Sequence, residues 1–283
     1  MIEFARGLSP DDLRELAELE GRVVAADGGR LKLEWRMLRT RAGRDVEDLL
    51  WREAGRLLGF LGLYGFRGPT VEIAGMVDPG ARRRGVATEL LEAALPICRD
   101  RGYQRALLVT PRTSAAGREF ARSRAAVLEH FEHALVLLGA PTEGPADPRL
   151  TLRTATPADV PDLSRLLAAA FGEPPTDLVA RLAENSARTI VAELEGVVVG
   201  TVRVTRDDQA GGIYGFAVDP AWQGRGIGRS VLRTVCRGLR DQGVRTIGLE
   251  VAVENEHALG LYTSLGFIQT ATEDYYELPL GER

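Results

Sequence analysis

The chain has 283 residues, too many for one small domain and suited to two of about 140, since domains run to roughly 100–200 residues. Its 45% hydrophobic and 27% charged residues exclude collagenous, coiled-coil and largely disordered classes; no stretch approaches the roughly 20 apolar residues of a membrane span, and Met1-Ile2-Glu3-Phe4-Ala5-Arg6 lacks the apolar core of a signal peptide. The formal charge of −4 falls unevenly, with 22 basic and 21 acidic side chains over residues 1–143 against 14 and 19 over 144–283, and a net-negative chain is poorly suited to nucleic acid, which needs clustered Lys and Arg.

A cytoplasmic protein with no membrane and no nucleic-acid partner is therefore expected. Cys98 and Cys236 sit in apolar helical patterns and are too few for a disulfide framework, so both read as buried thiols. Of the 36 basic residues only Lys32 is a lysine.

In chain order, Ser9-Pro10-Asp11-Asp12 starts a helix expected near 9–26. The segment 30–44 carries six basic residues against Glu34 and reads as a solvated helix or lid. Strands follow at 56–64 and 70–77, a helix at 86–101, a strand at 105–109 and a helix at 114–124. His130 and His133, three apart on a strand, point to opposite faces with no cysteine cluster near them, so no metal site is expected. Between Gly139 and Pro148, Pro141, Gly144, Pro145 and Pro148 crowd a stretch without hydrophobic periodicity, as in a linker.

Past that seam, Thr156-Pro157-Ala158-Asp159 caps another helix. The β-branched runs 189–194 and 197–205 meet at Glu195-Gly196, a hairpin signal, and a third strand covers 213–218. Ile227, Val231, Leu232, Val235 and Leu239 share one helical stripe that ends near Gly243. Strand returns at 247–253, Ala258, Leu261, Tyr262 and Leu265 mark a helix, and 267–280 has room for a closing hairpin. The fold class expected is α/β of the α+β type, with domains at 1–140 and 149–283, each a mixed, mostly antiparallel sheet flanked by helices.

The two halves repeat one motif. Val77-Asp78-Pro79-Gly80-Ala81-Arg82-Arg83-Arg84-Gly85-Val86-Ala87-Thr88 recurs 141 residues later as Val218-Asp219-Pro220-Ala221-Trp222-Gln223-Gly224-Arg225-Gly226-Ile227-Gly228-Arg229. A glycine-rich turn between strand and helix is either a plain connection or an anion cradle in which glycine removes Cβ atoms, the helix start attracts negative charge and arginines add counter-charge. Two copies in one register favour the cradle. The loop is not a P-loop, because no Gly-Lys-Ser/Thr closes it, and not a dinucleotide fingerprint, because Arg229 holds the third glycine position.

Val-Asp-Pro followed by Gln-x-x-Gly-x-Gly, then Leu249-Glu250-Val251, then Asn255-x-x-Ala258-x-x-x-Tyr262-x-x-x-Gly266-Phe267 resembles the GNAT superfamily of acetyl-CoA-dependent N-acetyltransferases. The likeness covers 151–280 almost entirely and the first half more weakly, so the chain resembles a tandem GNAT protein, an architecture that mycothiol synthases share. It implies two GNAT-like domains and acetyl-CoA as cosubstrate without a metal. The cofactor-binding residues implied are Phe216, Ala217, Val218, Gln223, Gly224, Arg225, Gly226, Ile227, Gly228, Arg229 and Asn255, with Met76, Val77, Arg82, Arg83, Arg84, Gly85, Val86, Ala87 and Thr88 as their first-half counterparts.

Acetyl transfer to an amine needs a base for the ammonium, an oxyanion stabiliser and a proton for the thiolate. Glu250 stands between Gly248 and Ala252 on one strand face. It is either a solvent-facing glutamate or a base on a cleft floor, and resemblance to ribosomal-protein N-terminal acetyltransferases implies the second. Tyr262 lies on its helix's apolar stripe and is by pattern a core residue; the family resemblance implies the acid. Asn255 is an N-cap, a hydrogen-bond partner of the cofactor, or both.

Many family members carry a base on the strand leading into Val-Asp-Pro, but 211–216 holds no carboxylate, and the base position of mycothiol synthases falls on Gly212. That weakens the particular assignment and leaves the role with Glu250.

A shift of 142 places Leu108 at Glu250, Thr113 at Asn255 and Phe120 at Tyr262. The first half is thus expected not to catalyse, and either binds acetyl-CoA or supports the second. The acceptor expected is a small-molecule or peptide amine. The alternative is a non-enzymatic acyl-CoA-binding or regulatory module.

Overall fold

A computed structural model describes residues 1–145, 147–172, 177–184 and 187–281. In chain order the elements are β1 (Ile2–Ala5), α1 (Pro10–Asp27), α2 (Trp35–Thr40), β2 (Asp48–Glu53), β3 (Arg56–Arg67), β4 (Thr70–Val77), α3 (Val86–Asp100), β5 (Arg105–Pro111), α4 (Ala115–Ser123), β6 (Val127–Leu137), β7 (Leu150–Thr154), α5 (Val160–Phe171), α6 (Leu178–Ala183), β8 (Ala187–Leu194), β9 (Val197–Asp207), β10 (Ala210–Val218), α7 (Ile227–Asp241), β11 (Thr246–Ala252), α8 (Glu256–Ser264) and β12 (Ile268–Pro279). No helix among the described residues is long and apolar enough to cross a membrane.

Two compact units form, one of Met1–Glu132 with Ala271–Arg283 and one of His133–Thr270. They differ from the spans 1–140 and 149–283 expected from the repeat. The changes of unit fall inside β6 and β12 rather than in the Pro/Gly-rich seam. That seam, apart from Ala146, which lies outside the described residues, is strapped to the second unit. The buried Arg233 of α7 donates to the carbonyls of Thr142 at 2.9 Å and Pro145 at 3.1 Å. The stretch 267–280 forms one long strand, not a hairpin, because its pairing partners come from elsewhere in the chain.

In the first unit the strand order is β1-β2-β3-β4-β5-β12, with β4–β5 parallel and β12 antiparallel to β5 from Glu273↔Pro111 to Pro279↔Arg105. Alternation decides the faces. Leu49, Leu61, Val71 and Ile73 pack with Leu90, Leu91 and Ala94 of α3 and with Tyr276 and Leu280, while Leu50, Phe60, Tyr64 and Met76 pack with Leu16, Leu19 and Val23 of α1.

The C-terminal strand is also bound by polar groups that need partners once buried. Glu273 accepts from Arg30 at 2.9 Å and Asp274 from Arg112 at 2.8 Å. Tyr275 accepts from Lys32 at 2.5 Å and donates to Glu132 at 2.6 Å.

The basic segment 30–44 is therefore not a solvated lid. Only 35–40 is helical, the Lys32 amine pairs with Glu72 at 3.1 Å, and Arg41 grips the fully buried Asp48 at 2.9 Å. Both buried cations of this segment have a carboxylate, a condition for keeping a charge out of water. His130 stacks on the Tyr275 ring at 4.3 Å.

In the second unit the order is β6-β11-β10-β9-β8-β7, with β10–β11 parallel and β8, β9 and β10 antiparallel in sequence. Val204, Ile213, Ile247, Leu249 and Val251 form one core with Val231, Leu232 and Val235 of α7 and with Leu135 and Leu137 of β6; Leu163 and Leu166 of α5 pack with Val191, Val198 and Ala217 on the other face. Cys98 and Cys236 are buried, which pushes the thiols up to about 11 and about 12.

Tyr276 is 2% exposed and its hydroxyl has no hydrogen-bond partner among the described residues. Tyr276→Ala is expected to cost about 3–5 kcal/mol by opening a cavity, and Tyr276→Phe to cost nothing or gain about 1 kcal/mol by removing an unpaired hydroxyl. Hydrogen exchange should place the Ala variant's loss of protection in residues 1–132, far from position 276 in sequence; a loss confined to 133–270 would contradict this unit assignment.

Candidate active site

The centre of the second unit is a parting of two parallel strands. β10 and β11 pair only at Ala210↔Thr246, Gly211↔Ile247 and Gly212↔Gly248, although both continue to Val218 and Ala252. A bulge between Tyr214 and Ala217 puts one extra residue into β10 and bends it away. The resulting wedge joins the two faces of the sheet.

On the α7 and α8 face, Tyr262 is 7% exposed, with its ring 6.4 Å from Phe216 and 5.9 Å from Phe267. Burial pushes its phenol up to about 12. Among the described residues its hydroxyl has no hydrogen-bond partner. Glu250 belongs to the opposite face, half-buried between Gly248 and Ala252, because Leu249 and Val251 turn into the α7 core. Candidate acid and base thus lie on opposite sides of the sheet, at one opening.

The turn after β10 is built by Asp219, whose carboxylate accepts from the Ala221 amide at 2.9 Å and from Arg165 at 2.7 Å. Arg165 and that amide hold its carboxyl below the usual range. The Gln223 side chain donates to the Val218 carbonyl at 2.9 Å and so braces the turn. Gly224 and Gly226 both have positive φ, and Gly226 precedes α7 without a side-chain cap, leaving the first amides of α7 available to an anion.

Arg225 lies 4.9 Å from the Trp222 ring, and Arg229 donates to the Ser264 hydroxyl at 3.2 Å. Gly228 has a packing role: a Cβ there would meet Leu261 and Phe216, each at 3.3 Å. The side chains of Ala217, Val218 and Ile227 are buried in the core, so they are not presented to a ligand. Asn255 caps α8 by accepting from the Ala258 amide at 3.1 Å.

The first unit keeps the turn and loses the opening. β4 and β5 pair over five rungs, from Thr70↔Arg105 to Ala74↔Val109. The rungs Gly59↔Val77 and Gly200↔Val218 correspond, and the β10 bulge then makes Gly212 the counterpart of Glu72 and Tyr214 that of Ala74. Glu72 pairs with Leu107 and Gly212 with Gly248, so the counterpart of Glu250 is Val109, not Leu108. The matching N-caps Ser114 and Asn255 likewise replace Thr113 and Phe120 by Ser114 and Ala121.

Around the first turn, Arg82 is bidentate to Asp27 at 2.8 and 3.1 Å and Arg84 holds Glu53 at 2.8 Å, while Arg83 takes positive φ where the second copy has Gly224. Gly85 also leaves its helix without a side-chain cap, but Glu89 adds an acid to the first turn of α3. Met76 and Val86 are core residues, and Val77, Ala87 and Thr88 are half-buried. Sequence reasoning missed Tyr214, which shares a face with Gly212 by strand alternation, the signal that could have found it.

The Acetyltransferase (GNAT) family matches residues 11–124 and 160–267. The chain is 31% identical to a mycothiol acetyltransferase of Thermomonospora curvata over 98% of its own length and 97% of that protein. It is 30% identical to an aminoglycoside N(6')-acetyltransferase type 1 of Stenotrophomonas maltophilia, over 46% of this chain and 94% of that protein. A GCN5-related N-acetyltransferase from Sphaerobacter thermophilus superposes with a TM-score of 0.81 at 22% identity, covering 99% of this chain and 96% of that one. A tandem GNAT protein from the clavulanic acid biosynthesis pathway gives 0.68 at 18% identity with both chains fully covered; these structural likenesses concern the fold. With the family matched twice over most of its length, and with relatives that span it almost end to end, the chain belongs to the GNAT family of acetyltransferases.

Proposed function

We propose that the second unit transfers the acetyl group of acetyl-CoA to a small-molecule primary amine by direct attack, with Glu250 as base and Tyr262 as acid. The observation that carries this reading is the wedge after Gly212↔Gly248, which leaves Tyr262 at one face and Glu250 at the other. Acetyl-CoA bound at the uncapped start of α7 would reach the wedge from the Tyr262 side. The amine would arrive from the Glu250 side.

Glu250 takes a proton from the ammonium, directly or through water; the neutral amine attacks the thioester carbonyl; the C–S bond breaks as the C–N bond is completed; Tyr262 protonates the departing thiolate; and the nitrogen's second proton leaves to solvent, from which the phenol is reprotonated. Residues that would hold the pyrophosphate are Gly224, Gly226 and the first amides of α7, with Arg225 and Arg229 as counter-charge. Small-molecule acceptors are supported by the full-length likeness to a mycothiol acetyltransferase and the partial likeness to an aminoglycoside acetyltransferase.

The first unit is read as non-catalytic. Its equivalent rung is hydrogen-bonded shut as Ala74↔Val109, and two of its three loop arginines are neutralised by Asp27 and Glu53.

Glu250→Gln should lower turnover by about 10²–10⁴ at neutral pH, the usual contribution of a positioned base, with acetyl-CoA affinity kept; full turnover across the pH range, followed by thiol release with a panel of amines, would refute the role. Tyr262→Phe should reduce kcat far more than it weakens acetyl-CoA binding measured by calorimetry, whereas equal losses would indicate packing alone. Because burial lifts the Tyr262 phenol to about 12, the acid stays protonated as pH rises past the usual phenol value of about 10. The pH profile of kcat should therefore show no alkaline limb that disappears in Tyr262→Phe between about pH 7 and 10.

A further inference from the structure

The rung directly beyond Gly212↔Gly248 is where the two units differ most in chemistry. Counting two residues on along each parallel strand puts Tyr214 opposite Glu250. In the first unit the same rung is the hydrogen-bonded, apolar pair Ala74↔Val109. Both changes are to polar groups, and both occur where the strands have parted.

Tyr214 belongs to Glu250's face. It pairs with Arg203 and Gly212 with Thr205 across β9, while the intervening Ile213↔Val204 rung turns into the α7 core. Its side chain leans back along β10. A Cβ built on Gly212 would lie 2.5 Å from Tyr214 Cε2, 2.7 Å from its hydroxyl oxygen and 2.7 Å from Thr205 Oγ1. The ring and hydroxyl thus fill the space that any side chain at 212 would need, and glycine at 212 is what admits them.

Gly248, across the last paired rung, leaves the floor beside Gly212 bare, its nearest neighbour for an added Cβ being the Leu135 carbonyl at 3.9 Å. Tyr214 is nonetheless 46% exposed, an unusual state for a large aromatic on a central strand. An aromatic ring presented to solvent across a gap from a carboxylate suits one ligand chemistry above others: a primary ammonium, which the ring attracts through its π face and the carboxylate through charge and hydrogen bonding.

We infer that Tyr214 is the acceptor-binding residue of the second unit, holding a cationic primary amine between its ring and Glu250 at the open rung. This rests on the proposed roles of Glu250 and the wedge. It adds the residue that receives the acceptor and the acceptor's charge. The phenol hydroxyl, placed over Gly212, accepts a hydrogen bond from the ammonium, and Glu250 takes the proton that must leave before attack.

The test is calorimetric titration of the full chain, saturated with CoA, using glucosamine and kanamycin as probe amines and N-acetylglucosamine as the uncharged control. At least one probe amine should bind the native chain, and the uncharged sugar about tenfold more weakly than glucosamine, as the loss of a cation–π and ion-pair contact predicts. Tyr214→Ala should weaken the amine about tenfold and Tyr214→Phe by less, with CoA affinity and thermal unfolding unchanged. Gly212→Ala should mimic Tyr214→Ala by displacing the ring, and the double variant should bind no worse than Tyr214→Ala alone.

The inference is overturned if Tyr214→Ala binds the amines as the native chain does, if Gly212→Ala adds its full effect in the Tyr214→Ala background, or if a native chain that binds CoA binds neither amine. A native chain that fails to bind CoA would instead overturn the proposed function.

Discussion

A hydrogen-bond ladder between two parallel strands ordinarily continues until one strand stops, because each unpaired buried N–H or C=O costs free energy. In the second unit β10 and β11 abandon theirs after three rungs. One inserted residue at the bulge is responsible, and β10 keeps its other edge satisfied by β9. Beyond the third rung β10 and β11 form no ladder with each other, and a bound chain of amides could pair with the groups that line the wedge. The positions of Tyr262, Glu250 and Tyr214 all follow from this parting, since strand alternation distributes side chains to the two faces and the wedge connects those faces. Without the inserted residue the rungs upstream of it would shift by one, exchanging the two faces and putting Gly215 in place of Tyr214 opposite Glu250.

The duplicated units show how little separates an open rung from a closed one. Without an inserted residue β4 stays in register and the ladder runs two rungs further. The carboxylate absent at 212 is present in the first unit as Glu72, but the Lys32 amine sits 3.1 Å from it and Tyr275 takes another of that amine's protons. The Lys32 amine lies 2.5 Å from the Tyr275 oxygen, 3.1 Å from Glu72 and 3.6 Å from Glu132. A planar guanidinium would match that arrangement poorly, which suits a lysine to position 32. The first unit thus uses for its own cohesion a carboxylate at the position where the second unit has Gly212.

Much of this was legible in the sequence, and the reasons are local. The Asp-Pro turns, the Glu195-Gly196 hairpin and the apolar stripe of α7 are set by neighbours within a few residues, so periodicity and turn chemistry found them. The face of Glu250 followed from alternation alone. Partners distant in sequence left no such mark: nothing in 268–279 says that its far end pairs with β5, and the run 30–44 looked solvated because Asp48, Glu72 and Tyr275, which bury its cations, come from other elements. The bulge was equally hidden; the counterparts Leu108, Thr113 and Phe120 came from a shift of 142, whereas the motif's own offset of 141 holds through the later elements and gives Val109, Ser114 and Ala121. Tyr214 escaped notice because its meaning depends on a glycine two positions away and on a strand in a different part of the chain.

The division of the chain into His133–Thr270 and a unit closed by the residues from Ala271 onward has a consequence for biosynthesis. Domains generally fold in the order in which the ribosome delivers them. Here the segment made first cannot finish first: until the C-terminal strand emerges, β5 has an unpaired edge, and Arg30, Lys32 and Arg112 lack the oxygens of Glu273, Tyr275 and Asp274. The second unit is continuous in sequence and complete before then. The nascent protein therefore matures from its middle outward, and a chain released a dozen residues early would carry a finished second unit behind an N-terminal half with an open β5 edge.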